Sequence, residues 1–168
     1  MLESGQTNPG EGTLIQMVNL PWPSSAVSNN TAVPVGCSSE TAVRGLHMYR
    51  SSGGWFSPAR ITDGVNIAAA GPMEIAAGRY VLISQWSALT SQMRVGIYNP
   101  ATDTLVWGAY AAYRGFFPIT STGDQRMRWL YGLSGFPVGI GDNYFFNSVI
   151  TDNDINLVCR NMTTQYTF

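Results

Sequence analysis

The sequence predicts an all-β protein: an antiparallel, jelly-roll-like β-sandwich with an extended N-terminal arm. Three observations support this fold class. About eight segments have the alternating or β-branched pattern of strands, 18 glycines and 9 prolines interrupt helices, and no window of about eleven residues carries a helical apolar period. We expect an arm at residues 1–35 and one sandwich domain at residues 36–168, long enough to bury its own core.

The predicted arm begins with a polar stretch, Met1 to about Gly12, that has nothing apolar to anchor it. Thr13–Asn19 is predicted to be a short strand. The prolines of Pro21-Trp22-Pro23 then exclude both a helix and a central strand. The arm therefore carries one large aromatic anchor, Trp22, which we expect to pack along another surface of the same domain or of a neighbour.

The segments after residue 42 have strand patterns of different strength. Arg44–Tyr49 is weak, whereas Gly78–Trp86 is rich in β-branched and aromatic residues and is the strongest strand in the chain. An Asp-Gly pair lies between the apolar flanks of Ile61–Ile67, which predicts a turn there.

A first hairpin is predicted to join Gln92–Tyr98 to Thr104–Tyr110 through the turn-forming residues Asn99–Asp103. Alternation predicts that its first strand is half-buried, with one face apolar and the other polar. The apolar face holds Met93, Val95 and Ile97, and the opposite face holds Gln92, Arg94 and Tyr98.

A second hairpin is predicted near the C-terminus, where Asn143–Ile150 leads through Thr151–Asp154 into Ile155–Asn161. Alternation along the returning strand would bury Ile155, Leu157 and Cys159.

Charged residues are scarce, and their distribution does not favour binding to nucleic acid or to a membrane. Charged residues make up 11 % of the chain, against roughly 25 % in an average soluble domain. There is no lysine, and the nine arginines are scattered without forming a basic stripe. No apolar run approaches the roughly twenty residues of a membrane span. The first twenty residues lack a secretory signal, so we expect synthesis and assembly in a cytoplasm.

Side chains for acid–base and nucleophilic catalysis are few. The single histidine, His47, lies in a predicted strand and is interpreted as a packed or rim residue. Hydrolysis by a pair of carboxylates needs neither histidine nor lysine, but spacing does not show which acidic residues would face each other. We therefore predict that the protein is not an enzyme and uses no cofactor.

The sequence offers one cluster of possible metal ligands and two cysteines that could pair. Asp152-Asn153-Asp154 is the best cluster of oxygen ligands, but the positions that an EF-hand loop would require as Gly and Glu hold Leu157 and Thr163. We interpret the cluster as a hairpin turn and predict no metal site. Cys37 and Cys159 either pair or remain as two partly buried thiols.

Aromatic rings near glycine and proline are the more promising feature, because rings on loops can stack on sugars or fill a partner's pocket. Tyr110 and Tyr113 are close together, and Arg126 and Arg128 alternate beside Trp129, where they can clamp a polar partner. The predicted partner-binding residues are Trp22, Trp55, Phe56, Tyr113, Arg126, Arg128 and Trp129.

Two segments, 72–82 (PMEIAAGRYVL) and 95–106 (VGIYNPATDTLV), resemble β-sandwich modules of tailed-bacteriophage virion proteins. The lysine-free composition and the arm are similar to those of head decoration (cement) proteins and of trimeric fibre or spike tips. Fibre-shaft repeats are missing, which favours a compact head or tip module.

The resemblance implies a structural virion protein that is assembled in the host cytoplasm and carries no catalytic residue. It implies a homo-oligomer, with a trimer favoured, that binds major capsid or tail proteins. The alternative is a carbohydrate-binding module or receptor-recognition tip whose aromatic residues stack on surface glycans.

Overall fold

The part of the chain that the structure describes contains eleven strands, one α-helix and a short 3-10 helix at Ser24–Ala26. The computed structural model describes residues 10–21, 23–26, 31–39, 42–50, 56–62, 66–71, 73–114, 127–131 and 139–165, with backbone placement alone at 31–39, 42–50, 56–62, 127–131 and 140. In chain order the elements are β1 (Glu11–Leu20), β2 (Thr31–Ser39), β3 (Ala42–Arg50), β4 (Phe56–Thr62), β5 (Ile67–Ala70), β6 (Gly78–Ser87), β7 (Gln92–Asn99), β8 (Thr104–Trp107), β9 (Ala111–Ala112), β10 (Met127–Tyr131), β11 (Gly139–Phe146) and α1 (Asp152–Thr164).

The strands form two sheets in which every pairing is antiparallel. The first sheet has the order β11-β1-β6-β7-β8, and β9 also pairs with β7. The second sheet has the order β10-β2-β3-β4-β5. The predicted antiparallel β-sandwich is confirmed.

Most of the predicted strands are confirmed. β3 and β6 cover the segments expected from composition, and β7 pairs with β8 in the first predicted hairpin. Thr62 pairs with Ile67 across the Asp-Gly pair, as a turn between two strands requires. These segments have local patterns that do not depend on distant contacts.

Both faces of the first sheet are covered, which the alternation of β7 does not reveal. On its inner face, Leu82, Val95 and Ile97 belong to the core that also includes Ala68 and Ala70 of the second sheet. On its outer face α1 covers Tyr98, which is 2 % exposed. The prediction of a half-buried β7 is therefore wrong at Tyr98, because the helix takes the place of solvent.

The segment predicted as the returning strand of the second hairpin is the helix α1. Ile155, Cys159 and Met162 have helical spacing and are buried against the outer face, whereas Leu157 is 59 % exposed. Thr151 caps the helix by accepting a hydrogen bond from the backbone N–H of Asp154. Short segments such as 155–159 fit both periods, and here the cap and the apolar sheet face decide for the helix. The predicted strand at 143–150 is displaced, since β11 ends at Phe146.

The predicted boundary at residue 35 is also wrong for the part of the arm that the structure describes. β1 lies between β11 and β6, inside the first sheet, and β2 lies between β10 and β3 in the second. The residues of β1 are buried from Gly12 to Val18. β1 is a core strand because its apolar residues complete a sheet formed by segments far away in sequence.

The described residues also bear on the cysteine and membrane predictions. Cys159, on the buried face of α1, is a free thiol, which excludes its pairing with Cys37. Burial raises the pKa of the Cys159 thiol to about 12. Among the residues whose placement is described, no helix is both long and apolar enough to cross a bilayer.

Candidate ligand-binding platform

Two aromatic rings, a guanidinium group and a carboxylate meet at one end of the outer face of the first sheet. The Arg94 guanidinium carbon lies 3.7 Å from the ring centroid of Trp107 and 5.3 Å from that of Tyr110. Arg94 Nη2 donates to Asp152 Oδ1 at 2.5 Å. We call these four residues the Arg94 platform.

Cross-strand register places Trp107 beside Arg94. Trp107 pairs with Gly96, which is two residues after Arg94 on β7 and therefore on the same face. A Cβ atom on Gly96 would lie 2.7 Å from Trp107 Cε3, closer than non-bonded carbon atoms approach. The absence of a side chain at Gly96 thus lets the Trp107 ring lie flat on the strand.

An interruption between β8 and β9 places Tyr110. Both strands pair with the same edge of β7, and residues 108–110 separate them. Gly108 donates its N–H to Val95 O at 2.8 Å, and a Cβ atom there would lie 2.1 Å from Ala69 O. The chain therefore passes tightly against β5 before turning outward, and Tyr110 is 59 % exposed.

A buried glutamine fixes the orientation of Arg94. Arg94 Nε donates to Gln85 Oε1 at 2.8 Å, and Gln85 is 2 % exposed. The amide nitrogen of Gln85 donates to Ile150 O at 2.7 Å and to the Thr13 hydroxyl at 3.2 Å. The guanidinium group is therefore held by a network that also fixes the chain entering α1.

The carboxylate of the platform stands at the start of α1. Asp152 is in the first turn of the helix, where a negative charge interacts favourably with the helix dipole. Its side chain is 51 % exposed, whereas that of Arg94 is 15 % exposed. Asp152 thus presents an acceptor to solvent while it holds the arginine.

The chemistry of these groups suits a ligand that has both an apolar face and hydroxyl groups. The exposed Tyr110 ring offers a flat surface for stacking, and the Asp152 carboxylate accepts hydrogen bonds. Trp107 Nε1 is buried and has no hydrogen-bond partner. The Trp107 ring therefore serves as support for Arg94.

A second arginine–aspartate pair lies near the other end of α1. Arg160 donates to both carboxylate oxygens of Asp103, at 2.9 and 2.7 Å, and the Tyr98 hydroxyl donates to Asp103 Oδ1 at 2.7 Å. The bonds from Arg160, then from Tyr98, hold the pKa of Asp103 below its usual value. Burial, followed by the Asp103 hydrogen bond, raises the pKa of Tyr98 to about 12.

Metal ligands are not gathered anywhere in the portion of the chain with described placement, where no group of three or more His, Cys, Asp or Glu side chains is found. Asp152 and Asp154 belong to the first turn of α1, so their interpretation as a hairpin turn is wrong. The Asp154 carboxylate accepts from the Thr151 hydroxyl at 2.7 Å and serves the cap.

Of the seven predicted partner-binding residues, Tyr113 alone has a side chain whose placement the structure describes. Tyr113 is 4 % exposed and belongs to the core between the sheets, so its prediction as a surface ring is wrong. It is buried because β9 returns to the edge of β7 just before it, where Tyr113 N donates to Ser91 O. Phe56 begins β4, and Arg128 and Trp129 lie on β10 opposite Gly36 and Val35. Trp22, Trp55 and Arg126 lie outside the described residues.

Sequence reasoning missed Arg94, Trp107 and Asp152 as members of one site and noted Tyr110 only as a ring near Tyr113. Part of the platform could have been predicted from the hairpin, because the strand register across the turn at 99–104 places Trp107 opposite Gly96 and next to Arg94. The place of Asp152 in the platform could not have been predicted in this way, because its position depends on the helix.

No protein-family model matches the sequence, and no curated protein matches it. Two solved structures resemble it across most of its length. A leech intramolecular trans-sialidase in complex with 2,7-anhydro-Neu5Ac has a TM-score of 0.52 and 17 % identity over 91 % of this chain, which spans 24 % of the trans-sialidase chain. The native heptameric SAP-like pentraxin from Limulus polyphemus has a TM-score of 0.51 and 16 % identity, covering 92 % of this chain and 73 % of that chain. At these identities the likeness shows a shared β-sandwich fold.

Proposed function

We propose that this protein is a non-catalytic, lectin-like binding module that recognises a sugar ring at the Arg94 platform. The observation that carries the proposal is the exposed ring of Tyr110 beside a guanidinium group that is already oriented by Gln85, Trp107 and Asp152. A guanidinium group that is already oriented loses little conformational entropy when a ligand binds beside it.

Recognition divides between the groups of the platform. The C–H face of a sugar ring stacks on Tyr110, and its hydroxyl groups donate to the Asp152 carboxylate. Arg94 orders both partners, since it lies beside the tyrosine ring and donates to Asp152. The platform binds and orients, and no bond is made or broken there.

The comparison with the trans-sialidase supports testing sugars first, because that protein was captured with a sugar derivative. The shared feature is the fold, and the platform residues are argued from this chain alone. A binding module is also the alternative that the aromatic content of the sequence predicts.

Glycan-array screening followed by calorimetric titration of the best ligand tests this function. Tyr110→Ala should weaken binding about tenfold, the equivalent of about 1.4 kcal/mol of lost stacking. Tyr144→Ala is the matched control, because Tyr144 is 39 % exposed on β11 and belongs to another part of the sheet. Circular dichroism should show that both variants are folded.

Two outcomes contradict the proposal: no binding to any glycan on the array, or equal loss of affinity in the Tyr110 and Tyr144 variants. The second outcome would show that binding depends on general aromatic exposure and not on the platform.

A second candidate function, assembly of copies of this chain, is supported by β11. No described strand pairs with the outer edge of β11, and Tyr144 and Phe145 on this strand are 39 % and 45 % exposed. An unpaired edge with exposed aromatic residues is suited to pairing with the same edge of a second copy. Such assembly agrees with the structural virion role, beside capsid or tail proteins, that the sequence resemblance implies.

Light scattering after size-exclusion chromatography tests the second candidate. The wild type should be an oligomer, and Phe145→Asp should shift it towards monomer, whereas Leu157→Asp on the exposed face of α1 should not. A strictly monomeric wild type at micromolar concentration contradicts assembly and leaves the binding function as the remaining proposal.

A further inference from the structure

We infer that the Arg94 platform selects neutral sugars and discriminates against sugars that carry a carboxylate or sulfate group. This inference rests on the proposed function, since it names the class of sugar that the same site accepts. Three properties of the platform carry it: the edge of Arg94 that is already bonded, the charge balance around Arg94, and the capped end of α1.

One of the two hydrogen-bonding edges of Arg94, the edge formed by Nε and Nη2, is occupied. A guanidinium group recognises a carboxylate best through two parallel hydrogen bonds. In Arg94 the Nε atom donates to Gln85 Oε1 at 2.8 Å and Nη2 donates to Asp152 Oδ1 at 2.5 Å. An acidic sugar would have to displace the buried Gln85 acceptor or the Asp152 carboxylate to gain this edge.

The positive charge of Arg94 is already balanced by the carboxylate of Asp152. Asp152 contacts the guanidinium group directly, and Arg94 is only 15 % exposed, whereas Asp152 is 51 % exposed. A ligand on the platform therefore meets the negative member of the pair more openly than the positive one. An acidic group on the ligand would be repelled by the Asp152 carboxylate, whereas a hydroxyl group can donate a hydrogen bond to it.

The N-terminus of α1 does not supply a replacement anion site. The Thr151 hydroxyl accepts the Asp154 N–H, and Asp152 and Asp154 place two carboxylates in the first turn. These residues already satisfy the partial positive charge that would attract an anionic ligand to a helix start. The sugars that fit are neutral ones, with an apolar face for Tyr110 and hydroxyl groups for Asp152.

The test uses matched pairs of glycans that differ in one acidic group, such as lactose and 3′-sialyllactose, or a neutral galactan and its sulfated form, on an array of such pairs. The neutral members should bind at least tenfold more tightly than their acidic counterparts. Asp152→Asn should reduce this ratio at least threefold. Asp103→Asn is the matched control, because it removes the carboxylate of the second arginine pair, and it should leave the ratio unchanged.

Acidic members that bind as tightly as their neutral counterparts, or more tightly, overturn this inference while leaving the proposed function intact. Equal effects of the Asp152 and Asp103 variants on the ratio also overturn it, since the discrimination would then come from overall charge. Absence of binding to every glycan overturns the proposed function itself, and this inference with it.

Discussion

An arginine and an aspartate join each half of α1 to the first sheet, but the two pairs have different surroundings. In the pair near the N-terminus, Arg94 is 15 % exposed, stacks on Trp107 and donates to the buried Gln85. In the other pair, Arg160 and Asp103 are 58 % and 53 % exposed, and the further partner is the Tyr98 hydroxyl. The same chemical pair is thus built into a network in one place and lies open to solvent in the other.

The difference shows what an ion pair contributes in each setting. An exposed pair is screened by water and adds little to stability. A pair whose cation is stacked and bonded to a buried group has a fixed direction, and it can order the side chains around it. We therefore place the binding platform at Arg94 and assign a positioning role for α1 to the Asp103–Arg160 pair.

The largest expected effect comes from the apolar core between α1 and the first sheet, which lies between the two ion pairs. Ile155→Ala should lower the free energy of unfolding by about 2–5 kcal/mol, because Ile155 is completely buried on the face of α1 that packs against the first sheet, and its truncation leaves a cavity. Leu157→Ala is the control and should change it by less than about 0.5 kcal/mol, since Leu157 is 59 % exposed. Urea denaturation measures both. Equal losses would contradict a helical 152–164 segment.

Gly96→Ala should disturb the Arg94 platform without touching the Asp103 pair. The added Cβ would overlap the Trp107 ring, so we expect a loss of about 1–3 kcal/mol in stability and a weaker glycan affinity. Gly10→Ala is the control, because its Cβ would lie 3.7 Å from the nearest atom, an ordinary contact. Full affinity in Gly96→Ala would show that the position of Trp107 is unimportant for binding.

Replacing each arginine compares the two pairs directly. Arg94→Ala leaves the buried Gln85 acceptor without its partner, so the free energy of unfolding should fall by about 1–3 kcal/mol. Arg160→Ala should have a smaller effect, because water replaces its contacts. Thermal and urea unfolding measure the order, and a larger effect for Arg160→Ala would reverse our assignment of the two pairs.

The smallest expected effect is a pH dependence that comes from the Asp103 pair. The pKa of Asp103 is lowered in the folded state, so its contribution is present above the ordinary pKa of an aspartate and is lost as pH falls through the lowered value. The pKa of Tyr98 is raised to about 12, so its contribution is present below the ordinary value of 10.0 and is lost as pH rises towards 12.

Melting temperatures measured across the acid and alkaline ranges check this dependence. Asp103→Asn should flatten the acid limb, and Tyr98→Phe should flatten the alkaline limb. Profiles that keep the slopes of the wild type in both variants would exclude the Asp103 cluster as a source of the pH dependence.

The sequence predicted the elements whose information is local. β6 and β7 are recognisable from β-branched residues and alternation, and the β7–β8 hairpin from the turn residues between them. The buried placement of β1 was not predictable, because both of its neighbours, β11 and β6, are distant in sequence. The candidate site was predictable only in part, since Arg94 and Trp107 are joined by a hairpin, whereas Asp152 arrives on a separate element.

By itself the sequence determined the β class of the fold, the scarcity of charge and the positions of several strands, because composition and short-range periodicity act within one segment. The tertiary structure decided that residues 152–164 form a helix and not a strand. Ile155 and Cys159 fit a strand as well as a helix, and the apolar outer face of the first sheet, together with the Thr151 cap, selects the helix. The same choice brings Asp152 to Arg94, so the platform exists only after segments distant in sequence have packed together.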